Sequence, residues 1–203
     1  MAVMEKRDTR NDIIKVGMEL ISTHGYSATG IGAVLQLAKV PKGSFYHYFP
    51  SKEEFGLAVI DRFAEGYERF VCAFLQEPGV SPLQRLRNYL DAVAQAVGLE
   101  EDGCVRGCLI GNLGQELAAQ NETFRVRLEE IFGDWLGLLA ATLDQAQAAE
   151  EVSTDFDSQC MAGVLLSGLQ GALLRSKVQR SAQPIRELTA VLFDRLLVSV
   201  ERR

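Results

Sequence analysis

Residues 40–55, VPKGSFYHYFPSKEEF, carry five aromatic rings, two lysines and one glycine in sixteen positions. Rings at this density ordinarily go to a core, yet no acidic residue falls between Lys39 and Lys52. The stretch has to pack rings inward while its cations face something negative, and a helix does both. On a helix begun by Pro41, which suits a first position, Phe45 and Phe49 lie four apart and share a face, while Tyr46, His47 and Tyr48 point elsewhere. Residues 51–54, SKEE, read as a capping box opening a long helix through Phe55, Val59, Phe63, Tyr67 and Phe70.

Upstream, Thr9 with Asp12 gives a weak capping-box signal. Ile13, Val16, Met18, Leu20 and Ile21 follow at near-helical spacing. His24-Gly25 ends that helix on a C-cap glycine. Thr29 is the expected N-cap of a short second helix through Ile31, Val34, Leu35 and Leu37, and Ala38-Lys39-Val40 form the turn. No segment alternates like a strand between hairpin turns. Two short helices joined by a three-residue turn, the second bearing lysine, spell a helix-turn-helix.

The charge distribution fits an anion-binding head. The chain carries a net −6, but residues 1–62 hold eight Lys and Arg against seven Asp and Glu, and the remainder thirteen against twenty. A locally basic head thus sits on an acidic body. The phenols of Tyr46 and Tyr48, the imidazole of His47, Lys52 and the helix N-terminal amides can all hydrogen-bond phosphate oxygens. Lys42 stands at the helix start, where side chains reach base edges, and Gly43 lets the backbone approach a duplex closely. The bland alternative is a core helix that happens to carry surface lysines.

The segment from Thr29 to Phe55, including AKVPKGSFYHYF and SKEEF, resembles the DNA-binding head of the TetR family of one-component transcriptional repressors. The resemblance is close over the first sixty or so residues and looser over the rest. It implies an all-α fold of about nine helices, with a helix-turn-helix DNA-binding domain at 1–55 and a helical ligand-sensing and dimerisation domain at 56–203. The candidate DNA-contacting set is Thr29, Lys42, Gly43, Ser44, Tyr46, His47, Tyr48 and Lys52. The implied partners are a double-stranded DNA operator, a small-molecule effector and a second copy of the chain. The two heads would enter half-sites roughly 34–36 Å apart.

In the body, helices are expected at about 82–97, 106–119, 122–146, 155–180 and 185–200. The last two are apolar beyond a one-sided stripe: Met161, Val164, Leu165, Leu166, Leu169, Leu173 and Leu174, then Ile185, Leu188, Val191, Leu192, Leu196 and Leu197. Such a pair either serves its own core and a partner subunit, with charge at Leu169 or Leu192 expected to break the dimer, or is simply buried in a monomer. The start MAVMEKRDTR has no apolar stretch, and 161–174 is too short to span a bilayer. The expectation is a cytoplasmic protein, off the membrane, with its four cysteines reduced.

Cys108 lies in DGCVRGCLIGNLGQELA, four residues after Cys104. A zinc site is not expected, because the other cysteines are distant in sequence and both histidines belong to the head; no cofactor is expected either. A free cysteine is most often a small buried hydrophobe. However, GCLxxxLxxE here, with GALLRSK at 171–177, resembles a subgroup of TetR-like regulators of reductase and detoxification operons. Those respond to reactive electrophiles such as N-ethylmaleimide and quinones, or bind acrylate. That resemblance places the sensor at Cys108. It would require a lowered thiol pKa from a helix N-terminus or from Arg106, Arg175 or Lys177, and it leaves a reversible disulfide with Cys104 open. A noncovalent effector would instead use Tyr89, Asn112, Trp135 and Gln170 in an apolar cavity. A thiol-dependent enzyme would need a histidine beside Cys108, and neither histidine is assigned there.

Overall fold

The structure, a computed structural model, describes residues 8–97 and 107–197, all helices, turns and loops. The helices in chain order are α1 Thr9–His24, α2 Ile31–Ala38, α3 Lys42–Tyr48, α4 Lys52–Leu75, α5 Pro82–Ala96, α6 Leu109–Leu117, α7 Glu122–Ala148, α8 Ser158–Gln179 and α9 Gln183–Val191, which runs into a π-helical turn at Leu192–Leu196. No described helix is long and apolar enough to cross a membrane.

The three phenylalanines of the ring-rich stretch build the centre of the head. Phe45, Phe49 and Phe55 are all buried, with centroids 5.4 Å (Phe45–Phe49), 5.4 Å (Phe45–Phe55) and 5.3 Å (Phe49–Phe55) apart. Edge and tilted contacts at this spacing add to the burial of the rings themselves. Phe55 occupies the space a side chain at Gly17 would need, so α1 and α4 approach closely there. Ile13, Ile14 and Ile21 of α1 and Val34 and Leu35 of α2 complete this core. The α2–α3 turn is closed by Lys39 in the left-handed region (φ 54°), with the Val40 N–H donating to the Leu35 carbonyl at 3.0 Å.

Three helix starts differ from the sequence reading. Pro41, expected at the first helical position, is instead the N-cap of α3, which begins at Lys42. Asp8, not Thr9, caps α1, its carboxylate accepting from the Asn11 N–H at 3.2 Å. Gly30, not Thr29, is the N-cap of α2; Thr29 turns inward and donates its hydroxyl to the Gly25 carbonyl at 2.6 Å. Ser51 caps α4 as expected, accepting from the Glu54 N–H at 3.0 Å.

In the body α7 packs against α4, α5, α6 and α8, while α8 and α9 lie side by side. Helix α6 starts at Leu109, three residues after the sequence boundary, and Arg106 and Cys104 lie outside the described residues. The helix expected over 185–200 stops at Val191 and changes pitch. The apolar residues of α8 and α9 divide between two faces. Leu165, Leu169, Ile185 and Leu192 are fully buried within the chain, whereas Val164, Leu174, Val178, Val191 and Leu196 are exposed by 50, 56, 77, 52 and 43 %. Leu169 and Leu192 therefore belong to the subunit's own core, and the expectation that they face a partner is corrected: the free apolar stripe lies on the other face.

Candidate functional site

The exposed face of α3 presents Lys42, Gly43, Tyr46 and His47, with Tyr46 57 % exposed. Ser44 and Tyr48 are half-buried, Tyr48 lying edge-on to His47 at 5.0 Å. A Cβ at Gly43 would meet no protein atom within 4 Å, so the fold itself does not require glycine there and the space is left to whatever approaches from outside. Neither α2 nor α3 has an acidic residue in its first turn, and the uncapped N–H groups at the start of α2 add to the positive field. Tyr46, His47, Lys42 and Gly43 thus come together on one surface. Thr29 does not join them: it is 4 % exposed and its hydroxyl is used inside the head. Lys52 stands at the edge, its Nζ donating to the Ser27 carbonyl at 3.3 Å and lying 4.6 Å from the centre of the Tyr26 ring.

The second candidate site lies in the body. Gly107, with φ 72°, takes a backbone conformation that L side chains rarely adopt. It turns the chain so that Cys108 becomes the N-cap of α6. The thiol is buried and faces a cavity of about 340 Å³ whose wall includes Asn112, Gln170, Phe132 and Leu174. Gln170 lies over Gly111, filling the space of the absent side chain. Burial pushes the Cys108 thiol above its ordinary range; the amides of Gly111 and Ile110 and the Gln170 side chain oppose this but do not overcome it. The lowered pKa expected of a sensor thiol is therefore not found in the resting state, because desolvation outweighs the helix N-terminus. Arg175 is turned to Glu187 at 3.3 Å, and Lys177 is exposed with its stem beside Gly107.

Of the expected effector residues, Asn112 and Gln170 line the cavity with Cys108. Tyr89 and Trp135 do not; both are buried in an aromatic layer outside the cavity wall. There Tyr89 shares a hydrogen bond of 2.7 Å with Tyr67, whose ring is 4.5 Å from Trp135. Helical spacing marks Tyr67 only as a core position. Its hydroxyl role depends on Tyr89, twenty-two residues away on another helix, and no local pattern signals that pairing. Cys108 is close enough to this pair that its charge would disfavour ionisation of both phenols, which burial already pushes far up.

Glu116 is a residue whose role the sequence does not reveal. At the far end of α6 it accepts from the Tyr26 N–H at 2.9 Å and the Ser27 N–H at 2.7 Å, joining body to head. Burial raises its carboxyl pKa, but the Ser27 hydroxyl and amide, the Tyr26 amide and Lys52 more than offset that and hold it below the ordinary range. Partial burial, then the nearby Glu53 and Glu116, push the Tyr26 phenol up to about 12.

Comparison with known proteins agrees with this geometry. Residues 13–59 match the family described as bacterial regulatory proteins, tetR family, and residues 82–192, more than half of the chain, match the tetracyclin repressor-like C-terminal domain. Transcriptional regulator AcuR of Cereibacter sphaeroides is 37 % identical over 87 % of this chain and 80 % of its own. HTH-type transcriptional repressor DhaR of Mycobacterium sp. (strain GP1) is 32 % identical over 98 % and 97 %. The crystal structure of Escherichia coli NemR in its reduced form superposes with a TM-score of 0.83 at 28 % identity, covering 93 % of this chain and 97 % of that one. These relatives are transcriptional regulators rather than enzymes. With a helix-turn-helix head whose reading face is open and an all-helical body behind it, the chain belongs to the TetR family of DNA-binding transcriptional repressors.

Proposed function

We propose that two copies of the chain, joined through the exposed stripes of α8 and α9, hold an operator by the Lys42–Tyr46–His47 face of α3 and release it when a small electrophile reaches Cys108. The observation that carries this reading is the placement of Cys108. It is a buried thiol at the start of a helix, on the wall of a cavity large enough for a small organic molecule, with two amide N–H groups and the Gln170 side chain directed at it. These groups oppose the effect of burial and favour the thiolate once the proton has left, so the site favours small uncharged electrophiles that enter an apolar cavity and react slowly. The head is formed by residues 1–55 and the sensor and dimerisation domain by 56–203.

The Asn112 and Gln170 side-chain amides favour a second reading. They offer neutral hydrogen-bond donors to a small acidic molecule bound without covalent chemistry. One experiment separates the two. DNA from upstream of the protein's own coding region is titrated with wild type and Cys108→Ser, each with and without N-ethylmaleimide. The covalent reading expects both proteins to bind and only wild type to let go. A Cys108→Ser protein that still releases on treatment leaves the noncovalent cavity as the better account. Failure of wild type to bind any upstream fragment at low salt overturns the operator reading.

A further inference from the structure

Helix α6 carries the sensor thiol at one end and a contact with the head at the other. Its next-to-last residue, Glu116, leaves the body and meets the corner between α1 and α2, Oε2 accepting from the Tyr26 N–H at 2.9 Å and Oε1 from the Ser27 N–H at 2.7 Å. A carboxylate that takes two adjacent backbone amides makes a charge-assisted, two-point contact that fixes direction as well as distance. Gly25, with φ 83°, allows the corner to turn this way, and a Cβ there would stand 2.9 Å from Glu116 Oε2. On the other side Lys52 of α4 holds the Ser27 carbonyl at 3.3 Å and covers the Tyr26 ring. That ring is wedged, lying edge-on to Phe124 of α7 at 5.0 Å and filling the space beside Gly56, where a Cβ would come within 2.6 Å of it.

Helix α4 is tied to a different part of the body. Asn121 Nδ2 donates to Glu53 at 2.6 Å, and Arg127 Nε on α7 donates to Asp61 at 2.7 Å. Thus α7 and its N-cap hold the first half of α4, while α6 holds the α1–α2 corner. Helix α6 also packs against α1 and α4, but its two-point bond is to the corner, so a displacement of α6 relative to α7 pulls on the α1–α2 connection and on the α2–α3 unit attached to it.

We infer that Glu116 is a positioning residue for operator binding, a carboxylate clasp through which α6 sets the orientation of the reading helix. The trigger rests on the sensor reading above; the clasp itself does not. It makes the α6 end remote from Cys108 a determinant of DNA affinity although it touches no DNA.

The test uses the full-length protein. Amide exchange followed by mass spectrometry reads the Tyr26 and Ser27 N–H groups, and titration with the upstream DNA fragment reads affinity, for wild type, Glu116→Gln and Glu116→Ala, each with and without N-ethylmaleimide. In wild type the two amides are expected to be protected and to lose protection on modification. Glu116→Ala should exchange quickly from the outset, bind the fragment about tenfold more weakly, and change less than twofold on treatment. Glu116→Gln, which keeps one acceptor, should fall between. Thermal unfolding checks that the variants remain folded, and the graded series separates loss of a bond from loss of structure. A folded Glu116→Ala that binds and responds like wild type overturns the clasp, as does protection of Tyr26 and Ser27 that is unchanged in the variant. A wild type that ignores N-ethylmaleimide counts against the Cys108 trigger, and the clasp is then decided by exchange and affinity in the untreated proteins.

Discussion

The hydroxyls of Tyr67 and Tyr89 stand 2.7 Å apart and share one hydrogen bond beneath the aromatic layer formed with Trp135 and Phe70. Each phenol is the other's polar partner, and the pair lies within electrostatic reach of Cys108.

Removing one member of this pair leaves the other hydroxyl buried without a partner. Tyr67→Phe or Tyr89→Phe should each cost about 1–3 kcal/mol. The double variant should recover part of that loss, because no unsatisfied group remains. Urea unfolding of the three variants gives the coupling directly, and additive losses would show that the hydroxyls do not depend on each other.

The state of Cys108 sets a pH dependence whose sign is fixed. Burial raises the folded thiol above its unfolded value, so the folded chain holds this proton to higher pH. The stabilisation is complete below the unfolded pKa of about 8.5 and is lost as pH rises through the folded value. Cys108→Ser should therefore lose less stability than wild type between neutral and alkaline pH, as read from urea midpoints. The rate of maleimide addition at Cys108 should still be climbing at pH values where an exposed thiol has levelled off.

The division of α8 and α9 into two faces predicts two kinds of variant. Leu174→Glu or Val178→Glu places charge on the exposed stripe and should give a folded monomer in sedimentation at micromolar concentration. Leu169→Glu buries a charge inside the subunit and should unfold it, at a cost on the order of 4 kcal/mol or more. A monomeric wild type would remove the dimer from the mechanism.

On the reading face, Lys42→Ala should weaken binding to the upstream fragment, and Tyr46→Phe should cost less, about 1 kcal/mol for one hydrogen bond. The salt dependence says what Lys42 touches. If Lys42 meets a phosphate, its removal lowers the slope of log affinity against log salt by about one. If it meets a base edge, its removal leaves the slope in place and relaxes sequence preference.

The head is legible in sequence because its signals are local. Rings four apart, a lysine free of acidic neighbours and a capping box are all set within one or two helical turns, and Phe45, Phe49 and the Ser51 cap stand where the spacing puts them. The caps at Asp8 and Gly30 fall one residue from the positions that spacing suggests, since the Asp8 carboxylate takes the Asn11 amide and Thr29 spends its hydroxyl on the Gly25 carbonyl. The body is legible as helices and less so as a site. Whether Leu169 or Leu174 faces a partner depends on where α7 lies, and the Tyr67–Tyr89 pair and the Glu116 clasp join residues 22 and 89 to 90 positions apart. A motif points to Cys108, but the balance between burial and the amides around it is a property of the packed protein.

The five rings of residues 40–55 have divided their labour by face, three phenylalanines inward, Tyr46 outward and Tyr48 half-buried between them. Under the proposed function, stability and recognition draw on different letters of the same short text. With the proposed DNA face at positions 42, 46 and 47, substitutions there are expected to change which operator is read while the Phe45–Phe49–Phe55 centre keeps the head folded. A lineage built on this scaffold is free to acquire new target genes one exposed residue at a time, with no intermediate that has to survive a damaged core.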